Sequence, residues 1–137
     1  IIHELAHIIS YDEPFDASDS ANTECHEYFE IHGCPTQDSY LGMFTDEFWR
    51  KADLERAIRF SNSADAYEEA ADYYDSHGTL YVTDYAAIGP EEDFSESFMY
   101  FVLDISVPRD TDAKEKKDFF AEFSELVLVR KEILSGL

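Results

Sequence analysis

The chain has 137 residues, of which 45% are hydrophobic and 15% aromatic; this is enough for one folded domain with a real core and is not a disordered composition. Its 31 acidic residues against 10 basic ones give a formal net charge of −21, which argues against nucleic acid as a partner because phosphate binding needs a basic patch. No apolar run approaches the roughly 18–20 residues of a membrane span, so the expectation is a soluble protein whose charge mainly solvates its surface.

Residues 1–10 read as a helix dense in apolar positions (Ile1, Ile2, Leu5, Ala6, Ile8, Ile9). The chain opens inside this pattern without a start methionine or a capping residue, so the natural protein is expected to extend upstream of Ile1. Residues 11–37 read as a long loop with Pro14, Gly33 and Pro35, holding a short hairpin around the cysteines or acting as a flap. Cys25 and Cys34 are expected to close a disulfide, with free thiols as the alternative. The acidic run Asp12-Glu13-Pro14-Phe15-Asp16 lacks the EF-hand spacing.

A single helical stretch is expected over residues 39–59, where Tyr40, Met43, Phe44, Phe48, Leu54, Ala57 and Ile58 recur three and four apart. Ser61-Asn62-Ser63 breaks it. A second helix over 64–76 ends at Gly78 in the manner of a C-terminal glycine. Residues 80–85, β-branched and aromatic, read as extended or strand-like. Gly89-Pro90 starts a strong helix to about Leu103, with Glu91, Glu92 and Asp93 complementing the positive end of its dipole. Pro108 breaks the chain, and two closing helices follow near 112–120 and 124–134. The fold class is mainly α, with a little strand.

The residues that carry chemistry begin at His3-Glu4-Leu5-Ala6-His7. Histidines four apart share one helix face and can grip one ion. Glu4 lies about 100° round the helix from His3, placed to reach a zinc-bound water without ligating the metal. Such a match also arises by chance on ordinary helices, so the remainder of a site decides the matter. A catalytic zinc takes three protein ligands and keeps one position open. Candidates for the third are His26, His32, His77 and the carboxylates. Glu92 and Glu96, four apart at the start of the Pro90 helix, offer the best geometry: one can ligate while the other receives the N–H of a ligand histidine. Taken alone, those acids would simply serve the helix dipole.

The stretch Asp84-Tyr85-Ala86-Ala87-Ile88-Gly89-Pro90-Glu91-Glu92-Asp93-Phe94-Ser95-Glu96-Ser97-Phe98 resembles gluzincin-type zinc peptidases related to anthrax lethal factor. It is closer still to bacterial zinc-binding peptidases carrying a DYA…PEEDFAE pattern. Asp38-Ser39-Tyr40-Leu41, Phe48-Trp49 and the tail from Phe119 also resemble that group. The resemblance implies zinc as cofactor, Glu92 as third ligand beside His3 and His7, Glu96 as its supporting partner, and Tyr85 near the metal. It further implies that residues 1–137 form one zincin-like metallopeptidase domain, the C-terminal part of a catalytic unit that becomes α+β once strands before Ile1 are counted. The separation of His7 from Glu92 is longer than in the best-known gluzincins, which keeps Glu91, Asp93 and Glu96 as reserve ligands.

The expected function is zinc-dependent hydrolysis of peptide bonds in a peptide or protein substrate, with Glu4 as general base and Tyr85 steadying the oxyanion. The alternatives are a catalytically inactive zincin-like binding domain and an acidic cation-binding interaction module. Secretion is the expected location, and the oligomeric state is not set by the sequence.

Overall fold

A computed structural model of the chain describes residues 1–14, 26–30 and 33–137. Among these residues the elements are seven α-helices and three 3-10 turns, with no strand. The helices are α1 (Ile2–Ser10), α2 (Tyr40–Phe48), α3 (Lys51–Ser61), α4 (Ala66–His77), α5 (Pro90–Leu103), α6 (Asp112–Phe119) and α7 (Ser124–Ser135). The mainly α expectation holds, and no helix is long and apolar enough to cross a membrane.

Helix α5 is the centre of the arrangement, packed by α1, α2, α6 and α7 and by the 3-10 turn Tyr85–Ile88 that leads into it. Its start is where the sequence puts it. Gly89 is the N-cap, Pro90 occupies the first turn with Glu91, Glu92 and Asp93, and Asp104 closes the helix in the left-handed conformation at φ 52°. Gly89 is required by close approach: a Cβ there would meet the Tyr28 hydroxyl at 2.3 Å. Nine residues of α5 are buried, so it is nearly a core helix and its acids must find partners inside the protein.

The core beside α5 is a cluster of phenylalanines. Phe44 of α2 makes ring contacts with Phe48, Phe94, Phe119 and Phe120 at centroid distances of 5.0–6.1 Å, and Phe98 and Phe101 extend the cluster through Phe120. Most of these rings meet edge to face, the arrangement that sets a ring's positive edge against a neighbour's negative face. Helix α1 reaches α5 by a different device: its buried residues are the small Ala6 and Ser10, which let the two backbones approach closely. His3 and His7 precede Ala6 and Ser10 by three residues and therefore lie on the neighbouring strip of the same helix.

Three expectations need correction. The helix over 39–59 is broken at Trp49 and Arg50, both extended. The Arg50 N–H is capped by the Asp53 carboxylate at 3.0 Å, and the Trp49 indole N–H turns inward to donate to Asp93 at 2.9 Å. Residues 80–85 form no strand. Their neighbourhood is used differently: the Thr79 carbonyl accepts from the Ala113 N–H at the start of α6, the Leu80 carbonyl accepts from Lys116 Nζ, and Thr83 caps the following 3-10 turn through the Ala86 N–H. Gly78 closes α4 in the right-handed region at φ −60°, without the left-handed conformation that glycine makes cheap.

Cys34 is disulfide-bonded, while Cys25 lies outside the described residues, as do Phe15 and Asp16 of the acidic run and most of the expected hairpin. Glu13 accepts a hydrogen bond from Thr36 at 2.9 Å.

Phe44→Ala should destabilise the fold by about 3–5 kcal/mol, because it empties the centre of the ring cluster. Urea denaturation followed by circular dichroism measures this, and a loss well under 1 kcal/mol would contradict the assignment of the core.

Candidate metal centre

The apposition of α1 and α5 brings four of the sequence-nominated residues into one cluster. His3 and His7 come from successive turns of α1, and Glu92 and Glu96 from successive turns of α5. His3 Nε2 lies 3.1 Å from His7 Nε2 and 3.0 Å from Glu92 Oε2, and His7 Nε2 is 3.5 Å from the same oxygen. His3, His7 and Glu92 each present one donor atom to a common point. Glu96 stands behind His3, its Oε1 accepting from His3 Nδ1 at 2.6 Å, and its Oε2 accepting from the Thr83 hydroxyl at 2.9 Å.

The chemistry of this set follows from the tautomer. A carboxylate can only accept, so Nδ1 of His3 carries the proton, and in the neutral ring Nε2 is then a lone pair. That lone pair faces a second imidazole nitrogen and a carboxylate oxygen. Glu92 Oε2 is buried with no hydrogen-bond donor aligned on it, even though His3 Nε2 is close. With a proton on His7 Nε2 that nitrogen donates to His3 Nε2 at 3.1 Å; without it three lone pairs converge, the arrangement that a cation binds. The spacing suits zinc: atoms bonded tetrahedrally at 2.0–2.2 Å lie about 3.3 Å from one another, and the three observed separations bracket that value. Two imidazoles and one carboxylate are also a zinc donor set, with a fourth position left for water or substrate.

The electrostatics agree with the geometry. Burial pushes the Glu92 carboxyl above its ordinary range, opposed by the neighbouring His7 and His3. Tyr85, on the 3-10 turn before α5, has its ring centroid 5.8 Å from that of His3. Burial, Glu92, Glu96 and Glu4 together push its phenol up. Glu4 itself is exposed, and its carboxylate makes no hydrogen bond or ion pair with the described residues.

The reserve ligands are engaged elsewhere. The Glu91 carboxylate accepts from the Tyr28 hydroxyl at 2.7 Å. Asp93 is fully buried and binds Lys116 Nζ at 2.7 Å, the Trp49 indole N–H at 2.9 Å and the Ser97 hydroxyl at 3.3 Å. Among the other histidines, His26 caps a 3-10 turn by accepting from the Tyr28 N–H, and His77 stacks on Tyr73 with ring centroids 4.1 Å apart. His32 lies outside the described residues. Sequence reasoning missed Thr83, Tyr28, Trp49 and Lys116. Only Thr83 left a local trace, as a hydroxyl three residues ahead of an N–H it caps.

Comparison with family models, curated proteins and solved structures gives no match for this chain.

Glu92 provides a direct test of a site kept at the expense of stability. Its raised carboxyl means that the metal-free folded state holds the proton more tightly than the unfolded chain does. The Glu92 contribution to stability is therefore most favourable below the unfolded value, about pH 4.3, and is lost as the pH rises through the folded one. In the presence of a chelator, Glu92→Gln should be more stable than wild type at pH 7, with the difference closing below about pH 4. Urea titrations across pH read this, and a less stable variant at neutral pH would contradict it.

Proposed function

We propose that this chain is a zincin-like metallopeptidase domain in which His3, His7 and Glu92 hold zinc and Glu4 is the general base. The observation that carries the reading is the convergence of one ligand atom each from His3, His7 and Glu92 within 3.5 Å of one another, with Glu96 on the other ring nitrogen of His3. The residue roles are those implied by the gluzincin resemblance, and the distances among His3, His7, Glu92 and Glu96 support the metal-holding ones.

When bound, zinc supplies Lewis acidity, bringing a water toward a neutral pKa and polarising a substrate carbonyl. The protein's own residues do the rest. Glu4 adjoins His3 on α1 and has no competing partner among the described residues, so its carboxylate is free to take a proton from the attacking water. It then returns that proton to the leaving amine nitrogen as the peptide bond breaks. Tyr85 keeps its phenolic proton at neutral pH, since its neighbours push its ionisation up, and it donates to the oxyanion that develops on the carbonyl oxygen. Glu96 accepts the His3 Nδ1 proton and keeps the imidazole oriented, a role carried by carboxylates behind many zinc-binding histidines. The substrate is a peptide or protein. The bonded Cys34 supports an oxidising compartment, in keeping with secretion.

Two variants separate the roles. Glu4→Gln should retain about one zinc per chain and lose turnover by about 100- to 10,000-fold, whereas Glu92→Ala should lose the zinc. Elemental analysis with a peptide-cleavage assay measures both. Wild-type turnover in Glu4→Gln would remove Glu4 as base, and full zinc occupancy in Glu92→Ala would move the ligand role elsewhere.

A further inference from the structure

The three consecutive acids at the start of α5 point to three different partners. Glu91 reaches Tyr28, Glu92 faces the two imidazoles, and Asp93 enters the core. Asp93 is gripped there from two elements remote in sequence. Lys116 of α6, itself buried, places Nζ 2.7 Å from Asp93 Oδ2, and the same oxygen accepts from the Trp49 indole. Lys116 has no freedom to follow a moving partner. Its ammonium also donates to the Leu80 carbonyl at 2.7 Å and lies 4.1 Å from the Tyr81 ring centroid. Trp49 is held by the break between α2 and α3.

We propose that Lys116 and Trp49 are positioning residues of the candidate metal centre: by gripping Asp93 inside the core, they fix the rotation of α5 that sets Glu92 and Glu96 on His3. Its consequence for zinc rests on the metal-centre reading above, but the clamp itself does not. A turn of α5 by about 20° would carry a carboxylate about 6 Å from the helix axis through roughly 2 Å. Metal–ligand distances tolerate only about 0.2 Å, so the centre needs α5 held in rotation as well as packed. The phenylalanine cluster resists separation of the helices, and the hydrogen-bonded ion pair adds a directional restraint on α5. The clamp also settles which acid is left for a cation: Lys116 neutralises Asp93, and no lysine or arginine is paired with Glu92 among the described residues.

The test uses the full chain as Lys116→Met and Trp49→Phe. Trp49→Phe keeps an aromatic ring and removes the N–H donor together with part of the buried indole's volume, so with wild-type helical content verified it decides the matter if Lys116→Met fails to fold. In metal-free protein the first readout is the His3 Nδ1 proton, which its 2.6 Å bond to Glu96 should shift far downfield in the wild-type NMR spectrum. The variants should lose or broaden that resonance while keeping wild-type helical content. The second readout is zinc affinity by chelator competition, which should weaken by about 10- to 100-fold, as for other residues that orient metal ligands. An unchanged His3 resonance with unchanged affinity in a folded variant overturns the clamp. If the wild-type resonance is present and lost in the variants while no form binds zinc, the clamp stands and the metallopeptidase reading falls.

Discussion

The close approach of α1 and α5 is the constraint on which the rest depends. Ala6 and Ser10 leave no bulk between the two helices, so residues on the adjoining strips must meet. His3 and His7 repeat at one helical turn, and Glu92 and Glu96 repeat at the same interval. Two helices in contact thus superimpose two i, i+4 pairs and create a four-residue cluster without any loop contribution. The His3 Nδ1 proton points away from the centre toward Glu96, which turns the Nε2 lone pair of His3 toward His7 and Glu92.

Around that contact, the protein disposes of its excess negative charge by assigning each acid of the α5 N-terminus a separate partner. Glu91 takes a phenol, Asp93 takes a buried ammonium, and Glu96 takes an imidazole N–H and a hydroxyl. Glu92 faces the two imidazoles and has no lysine or arginine partner among the described residues. A buried ion pair such as Asp93–Lys116 is weak evidence for stability, because desolvating two charges offsets most of their attraction. Its value here lies in direction: a fully buried pair with additional donors fixes where the helix points. The function proposed for the chain draws on this arrangement, with the carboxylate that lacks a cation serving as the one that holds it.

Much of this was legible in the sequence, for reasons that differ by residue. The α5 helix begins at Gly89-Pro90 and ends at Leu103 as its composition dictates, because capping chemistry is local. Helical spacing puts His3 and His7 on one face and Glu92 and Glu96 on another, while the choice of Glu92 as ligand and Glu96 as its support came from the gluzincin resemblance. The break at Trp49 and Arg50 was not legible: apolar spacing runs unbroken through it, and the partner that the extended Trp49 meets, Asp93, is 44 positions away. Residues 80–85 misread as extended because Leu80, Tyr81, Val82 and Thr83 favour strands, yet a strand needs a neighbour to pair with, and these backbone groups serve α6 and a 3-10 turn instead. Asp93 stayed a reserve ligand in the sequence, since only the fold reveals that Lys116 reaches Asp93 and not Glu92.

The central claim is that the three converging atoms bind a metal ion, and anomalous scattering from crystals grown with zinc tests it most directly. Data collected on either side of the zinc absorption edge should show a single strong peak bonded to His3 Nε2, His7 Nε2 and Glu92 Oε2 at about 2.0–2.2 Å. A peak at another site, or an empty cluster in which His3 Nε2 donates a well-aligned hydrogen bond to Glu92, would contradict the account.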